Sequence, residues 1–104
     1  MKRNAWAMRL KPGCEAEYKS RHDEIWPELK DELRKAGISD YTIYLDSKTN
    51  TLFAYQRLAD DASNDNLPQK EIVKKWWHMM KDVMETNADE SPVSDNLTEV
   101  FHMD

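Results

Sequence analysis

From Ala5 to Leu10 the side chains alternate, with Trp6, Met8 and Leu10 on one face and Ala5, Ala7 and Arg9 on the other. A period of two predicts a strand, and Pro12-Gly13 punctuates it. From Glu15 to Ala36 the period lengthens. Tyr18, His22, Ile25, Trp26, Leu29, Leu33 and Ala36 step by three or four, as on one face of a helix, and Gly37 supplies a stop. Tyr41-Thr42-Ile43-Tyr44-Leu45 alternates again, Asp46 to Asn50 is polar, and Leu52-Phe53-Ala54-Tyr55 resumes the alternation, so the stretch predicts a hairpin. Ala59 to Asn66 is a polar, acidic surface connection. Pro68 fits the first turn of a second helix, after Asp65 or Asn66 as the cap. That helix carries Ile72, Val73, Trp76, Trp77, Met80 and Met84, and a polar loop from Asn87 to Asn96 follows. Leu97 to Met103 is the expected last strand.

The predicted order is β-α-β-β-α-β, which makes the fold class α+β with a ferredoxin-like arrangement: a four-stranded antiparallel sheet and two helices on one face. One domain spans residues 1–104. Each hairpin strand is apolar on both faces: Tyr41, Ile43 and Leu45 against Tyr44 in the first, and Leu52 and Ala54 against Phe53 and Tyr55 in the second. Only one face is covered by the helices, so the other is expected to pack against a second copy, giving a homodimer through the sheet face. A monomer with a mixed polar and aromatic outer face is the alternative.

Composition narrows the partners. With 104 residues the chain has room for one core. Its formal net charge of −5 makes nucleic acid and anionic membranes poor partners. No apolar run approaches the ~18 residues of a membrane span, the start lacks a secretion signal, and the single Cys14 has no internal disulfide partner, so a cytoplasmic setting is expected. Four Trp and four Tyr in so acidic a chain suit a neutral ligand, although aromatic residues build cores first.

Tyr18 and His22 lie one helical turn apart, so a phenol and an imidazole stack about 6 Å apart on the apolar face. Inside that helix Pro27 removes a hydrogen bond and clashes with the preceding turn, so the helix kinks or restarts and opens a cleft beside His22. A buried His beside a Tyr also simply completes a core hydrogen bond, and Trp76-Trp77 also simply plugs a small core. In the functional reading an indole lies flat on the C–H face of a pyranose, while phenol, indole and imidazole groups at its edge meet the hydroxyls. Tyr18, His22, Tyr41, Trp76 and Trp77 supply that combination from three elements. His78 falls off the apolar stripe, His102 could face either way, and Arg21 is placed at the surface. Cys14 and the three His show no zinc spacing, and no nucleotide-binding glycine motif is present, so no metal and no cofactor is expected.

The segments Tyr18-Lys19-Ser20-Arg21-His22, Ile25-Trp26-Pro27-Glu28-Leu29, Tyr41-Thr42-Ile43-Tyr44-Leu45, Trp76-Trp77-His78-Met79-Met80, Ser91-Pro92-Val93 and Glu99-Val100-Phe101, taken in order, closely resemble the L-rhamnose mutarotases. The resemblance implies a dimeric α+β barrel that interconverts the α and β anomers of L-rhamnose. It makes His22 the proton donor and Tyr18, Tyr41, Trp76 and Trp77 the sugar-binding residues. The segment Leu58 to Glu71 departs from the family pattern, in which a longer helical lead into the Trp pair is expected. Two other readings stay open: another cofactor-free monooxygenase or isomerase of the same fold, and a sugar-binding module without activity.

Overall fold

β-branched and aromatic residues spaced by two pair into three long strands: β1 (Lys2–Arg9), β2 (Ile38–Asp46) and β3 (Thr51–Leu58). A short β4 (Ser94–Asn96) joins them in the order β2-β3-β1-β4, with every pairing antiparallel. The computed structural model describes residues 2–60 and 67–104. Its helices are α1 (Glu15–Asp23), α2 (Pro27–Lys35) and α3 (Glu71–Met80), the last preceded by one 3-10 turn over Leu67–Gln69.

The core lies on one face of the sheet. Register sets Trp6 opposite Ala54 and Met8 opposite Leu52, with Ile43 opposite Ala54 on the far side of β3. These side chains meet Tyr18 of α1, Trp76, Met79 and Met80 of α3, and Val83 and Met84 just beyond it. On the opposite face Tyr44 keeps 67% of its surface exposed and Phe53 40%.

The single helix expected over Glu15 to Ala36 is two helices. Proline disfavours a helical conformation in the residue before it, and Trp26 is extended, with φ −62° and ψ 132°. Pro27 then opens α2 at its first position, where a missing N–H costs nothing. α1 ends at Asp23, and the N–H groups of Glu24 and Ile25 close its last carbonyls, on Ser20 and His22. Acidic Glu15 and Glu17 in its first turn and basic Arg21 and His22 in its last suit the helix dipole. α2 ends where Gly37, at φ +85°, donates its N–H to the Arg34 carbonyl.

β2 carries a bulge. Ser39 faces Arg57 and Thr42 faces Tyr55, so two residues, Asp40 and Tyr41, stand against Gln56 alone. Asp40 takes a left-handed conformation, with φ +50°. The extra residue lets Ile38 and Tyr41, an odd number of positions apart, face the same side of the sheet.

Two further expectations are corrected. The second helix begins at Glu71 rather than at Pro68, which lies in the 3-10 turn; the caps expected at Asp65 or Asn66 fall outside the described residues. The last strand is Ser94–Asn96, not Leu97–Met103. Asn96 faces Trp6, and the same register carries the Leu97 N–H to the Ala5 carbonyl and Glu99 to an ion pair with Arg3 at 2.7 Å. Continued pairing would set Val100 against Lys2 and carry the rest past the described end of β1. Val100 and Phe101 accordingly stand 91% and 78% exposed.

A Gly37→Ala substitution places a Cβ on a left-handed residue and is expected to destabilise the fold by about 1–2 kcal/mol, read as a lower midpoint in urea.

Candidate active site

The break at Pro27 and the bulge at Asp40 bring one set of aromatic rings together. On α1 the rings of Tyr18 and His22 stack, with centroids 4.3 Å apart and planes inclined by 29°. The rings of His22 and Trp76 of α3 meet nearly perpendicular, with centroids 5.3 Å apart and planes at 88°. Trp76 in turn meets Trp26, at the corner between α1 and α2, at 5.2 Å and 88°. On the sheet, Trp6 meets Tyr41 at 5.7 Å. The small Ala54, opposite Trp6 in β3, leaves room for that diagonal contact across the middle strand. These contacts make two groups, one on the helices and one on the sheet, and the shared core packing of Trp6, Tyr18 and Trp76 sets them in one arc from the sheet through α1 to α3.

His22 is half-buried, and its Nδ1 lies 3.0 Å from the Tyr18 carbonyl oxygen. A carbonyl only accepts, so Nδ1 carries the hydrogen and donates it. In the neutral ring Nε2 is then the nitrogen with a free lone pair. Burial lowers the imidazole pKa below 6.5, opposed by the Tyr18 carbonyl and the nearby Asp23 carboxylate. Burial thus favours the neutral ring.

The two phenols are held protonated. Burial pushes the Tyr41 phenol up to about 12. The residue as a whole keeps 39% of its surface exposed. Burial raises Tyr18 further, and the neighbouring Tyr41 phenol adds to the effect. Gln56, the buried polar side chain opposite the bulge, accepts a 3.4 Å hydrogen bond from Asn4. The arc thus presents one neutral imidazole and two neutral hydroxyl donors among indoles.

Tyr18, His22 and Trp76 are brought into direct succession, and Tyr41 joins them from the sheet. Trp77 is half-buried and takes part in none of these ring contacts. Sequence reasoning missed Trp6 and Trp26 as members of the arc. Trp6 reads as a core residue of β1 until the strand register is known, whereas the position of Trp26 directly before Pro27 is a usable signal for a corner. Arg21, expected at the surface, is instead mostly covered. Its guanidinium donates to both Asp82 oxygens at 2.7 and 3.0 Å, to the Met79 carbonyl at 2.6 Å and to Glu17 at 2.9 Å. His78 is exposed and paired with Glu90, and His102 is exposed and paired with Asp104.

Two surface hollows lie elsewhere. One of about 290 Å³ is lined by Glu71, Lys74, Lys75 and His78, and one of about 200 Å³ by Glu28, Asp31, Glu32, Lys35 and Ile72. Neither touches the arc, and both are lined mostly by solvated charge. Among the described residues no three His, Cys, Asp or Glu side chains gather where they could hold a metal. No helix among them is long and apolar enough to cross a membrane.

A family model described as L-rhamnose mutarotase matches residues 3–103. The chain belongs to the L-rhamnose mutarotase family. A relative from Bacteroides thetaiotaomicron carrying that name is 58% identical over the full length of both chains. One from Rhizobium johnstonii is 53% identical over 99% of this chain and 97% of its own. Among solved structures, the L-rhamnose mutarotase FA22100 from Formosa agariphila superposes with a TM-score of 0.93, at 49% identity over the whole of both chains. PA3566 from Pseudomonas aeruginosa superposes at 0.58 with 13% identity, covering 95% of this chain and 93% of that one, and shares the fold alone. The order of segments noted in the sequence thus corresponds to a family match that includes Leu58 to Glu71.

The phenol shifts set the alkaline behaviour. A group whose pKa is raised on folding adds stability below its unfolded value, about 10 for Tyr, and that stability is lost as pH rises through the folded value, about 12 for Tyr41. A spectrophotometric titration of the four tyrosines is expected to show two ionising late, with unfolding setting in above about pH 10.

Proposed function

We propose that this chain carries out the reaction its family is named for, interconverting the α and β anomers of L-rhamnose, with His22 as the proton-transferring group and Tyr18, Tyr41, Trp76 and Trp77 as sugar-binding residues. The observation that carries the reading is His22, fixed through its Nδ1 by the Tyr18 carbonyl and set between the Tyr18 and Trp76 rings.

Mutarotation opens a cyclic hemiacetal, turns the resulting aldehyde about one C–C bond and recloses it. Nε2 of neutral His22 takes the proton of the anomeric hydroxyl. The electron pair of that O–H bond becomes the second bond of the new carbonyl, and the bond from the anomeric carbon to the ring oxygen breaks. The imidazolium then gives its proton to the ring oxygen, which becomes a free hydroxyl. Closure runs the same transfers on the other face of the carbonyl. One group acts as acceptor and then as donor, a task suited to a pKa near neutrality. No atoms or electrons are gained or lost, so the balance needs no second reagent. Tyr18 and Tyr41, kept protonated, donate hydrogen bonds to sugar hydroxyls, and Trp76 offers a flat apolar surface to the C–H face of the ring.

The strand order supports a ferredoxin-like subunit, with the first helix broken in two. Tyr44 and Phe53, which would otherwise leave an aromatic patch in water, support a homodimer through the uncovered sheet face. The exposed Val100, Phe101 and Met103 add to the apolar surface a second copy would cover. A cytoplasmic setting fits a lone, free Cys14.

Saturation-transfer NMR between the anomers of L-rhamnose tests the activity. His22→Ala is expected to lose about 10²–10⁴-fold in exchange rate while staying folded, and Trp76→Ala to weaken sugar binding by about 0.5–1.5 kcal/mol. The wild-type rate is expected to fall on acidification only below pH 6.5, because burial holds the His22 pKa under its ordinary value and the neutral ring is the reactive form. Binding without acceleration over buffer would favour a sugar-binding module instead. Light scattering is expected to give twice the 12.3 kDa chain mass; a single-chain mass at micromolar concentration would sink the dimer.

A further inference from the structure

We propose that Arg21 is a positioning residue for the anomer exchange: its fork clamps α1 to the end of α3 and so holds His22 against Trp76. This rests on the reading of His22 as the proton-transferring group.

Arg21 precedes His22 on α1, and its side chain is only 19% exposed although it carries a charge. Nη1 donates to the Met79 carbonyl at 2.6 Å and to Asp82 Oδ1 at 2.7 Å, while Nη2 donates to Asp82 Oδ2 at 3.0 Å. The Met79 carbonyl lies in the last turn of α3, where helix carbonyls lack intrahelical partners. Asp82 follows two residues after α3 ends. The fourth bond, from Nε to Glu17 Oε1 at 2.9 Å, fixes the guanidinium against α1 itself. Two parallel N–H···O bonds to one carboxylate set direction as well as distance.

The clamp spans the same two helices as the His22–Trp76 contact. The Tyr18 carbonyl sets which nitrogen of His22 is free, but it moves with α1 and cannot set the distance to α3. A bond network anchored on α3 can. Pro27 makes this necessary: α1 is a nine-residue helix cut off from α2, so it cannot borrow its orientation from a longer rod. A displacement of about 1 Å at a reacting group costs up to about 100-fold in rate.

The test compares Arg21→Met, Arg21→Lys, Asp82→Asn and His22→Ala with the wild type. kcat and KM come from saturation transfer between L-rhamnose anomers, helix spacing from the nuclear Overhauser effect between His22 and Trp76 ring protons, and stability from thermal unfolding. Arg21→Met is expected to lower kcat about 10- to 100-fold with KM little changed and to lose the Overhauser contact. Arg21→Lys keeps the charge but not the fork, and recovers part of the rate. Asp82→Asn keeps the bond to Met79 and carries the test if Arg21→Met does not fold. It is expected to show the same split, smaller in size. Variants with a lower melting point but wild-type kcat and an intact Overhauser contact, beside an inactive His22→Ala, would overturn the clamp and leave the role of His22 standing. Wild-type exchange by His22→Ala would remove the reading beneath it, and the clamp's role with it.

Discussion

The hydrogen bond from His22 Nδ1 to the Tyr18 carbonyl, one turn back on α1, is the constraint on which the rest of the site depends. It costs the helix nothing, because that carbonyl keeps a second lone pair, yet it settles the tautomer and the plane of the ring. With the ring fixed, the stack on Tyr18 and the edge contact with Trp76 become definite geometries, not alternatives among rotamers. The backbone atom that orients the imidazole belongs to the residue whose phenol stacks on it. One helical turn thus supplies both the imidazole and its support.

The electrostatic character of the site differs from that of the whole chain. Twenty acidic and fifteen basic side chains give a negative protein, but the arc holds neither a carboxylate nor an ammonium group. Burial favours the uncharged form of each titratable group in it: it lowers the imidazole pKa and raises those of the phenols. A set of neutral donors, one neutral acceptor and indole faces matches an uncharged, hydroxyl-rich ring with apolar C–H faces. Charge is kept to the periphery, where Arg21 and Asp82 act between helices.

Local periodicity was enough to place the hairpin and the Tyr18–His22 pair, because each depends on contacts within a few residues. It was not enough for features set by distant partners. The choice of Ser94–Asn96 over Leu97–Met103 as the last strand depends on how far β1 extends alongside it, not on the alternation of the segment itself. Trp6 entered the arc only once Ala54 was known to lie opposite it. Arg21 looked solvated because its partners, Met79 and Asp82, are about sixty residues away in sequence. The helix break is a different case. Pro27 signals a kink or a restart, and the steric rule on the preceding residue, Trp26, decides for the restart.

Two separate anchors determine where β2 sits. Its far half runs in unbroken register from Thr42 to Asp46 into the short turn before β3, and its near half is delivered by the end of α2 through Gly37. Nothing in a pleated ladder ensures that two such anchors agree in phase. The single unpaired residue at Asp40 takes up the mismatch, as an expansion joint does between two fixed spans. Tyr41, on the hairpin side of that joint, keeps its aim whatever small adjustments reach the strand from the helical side.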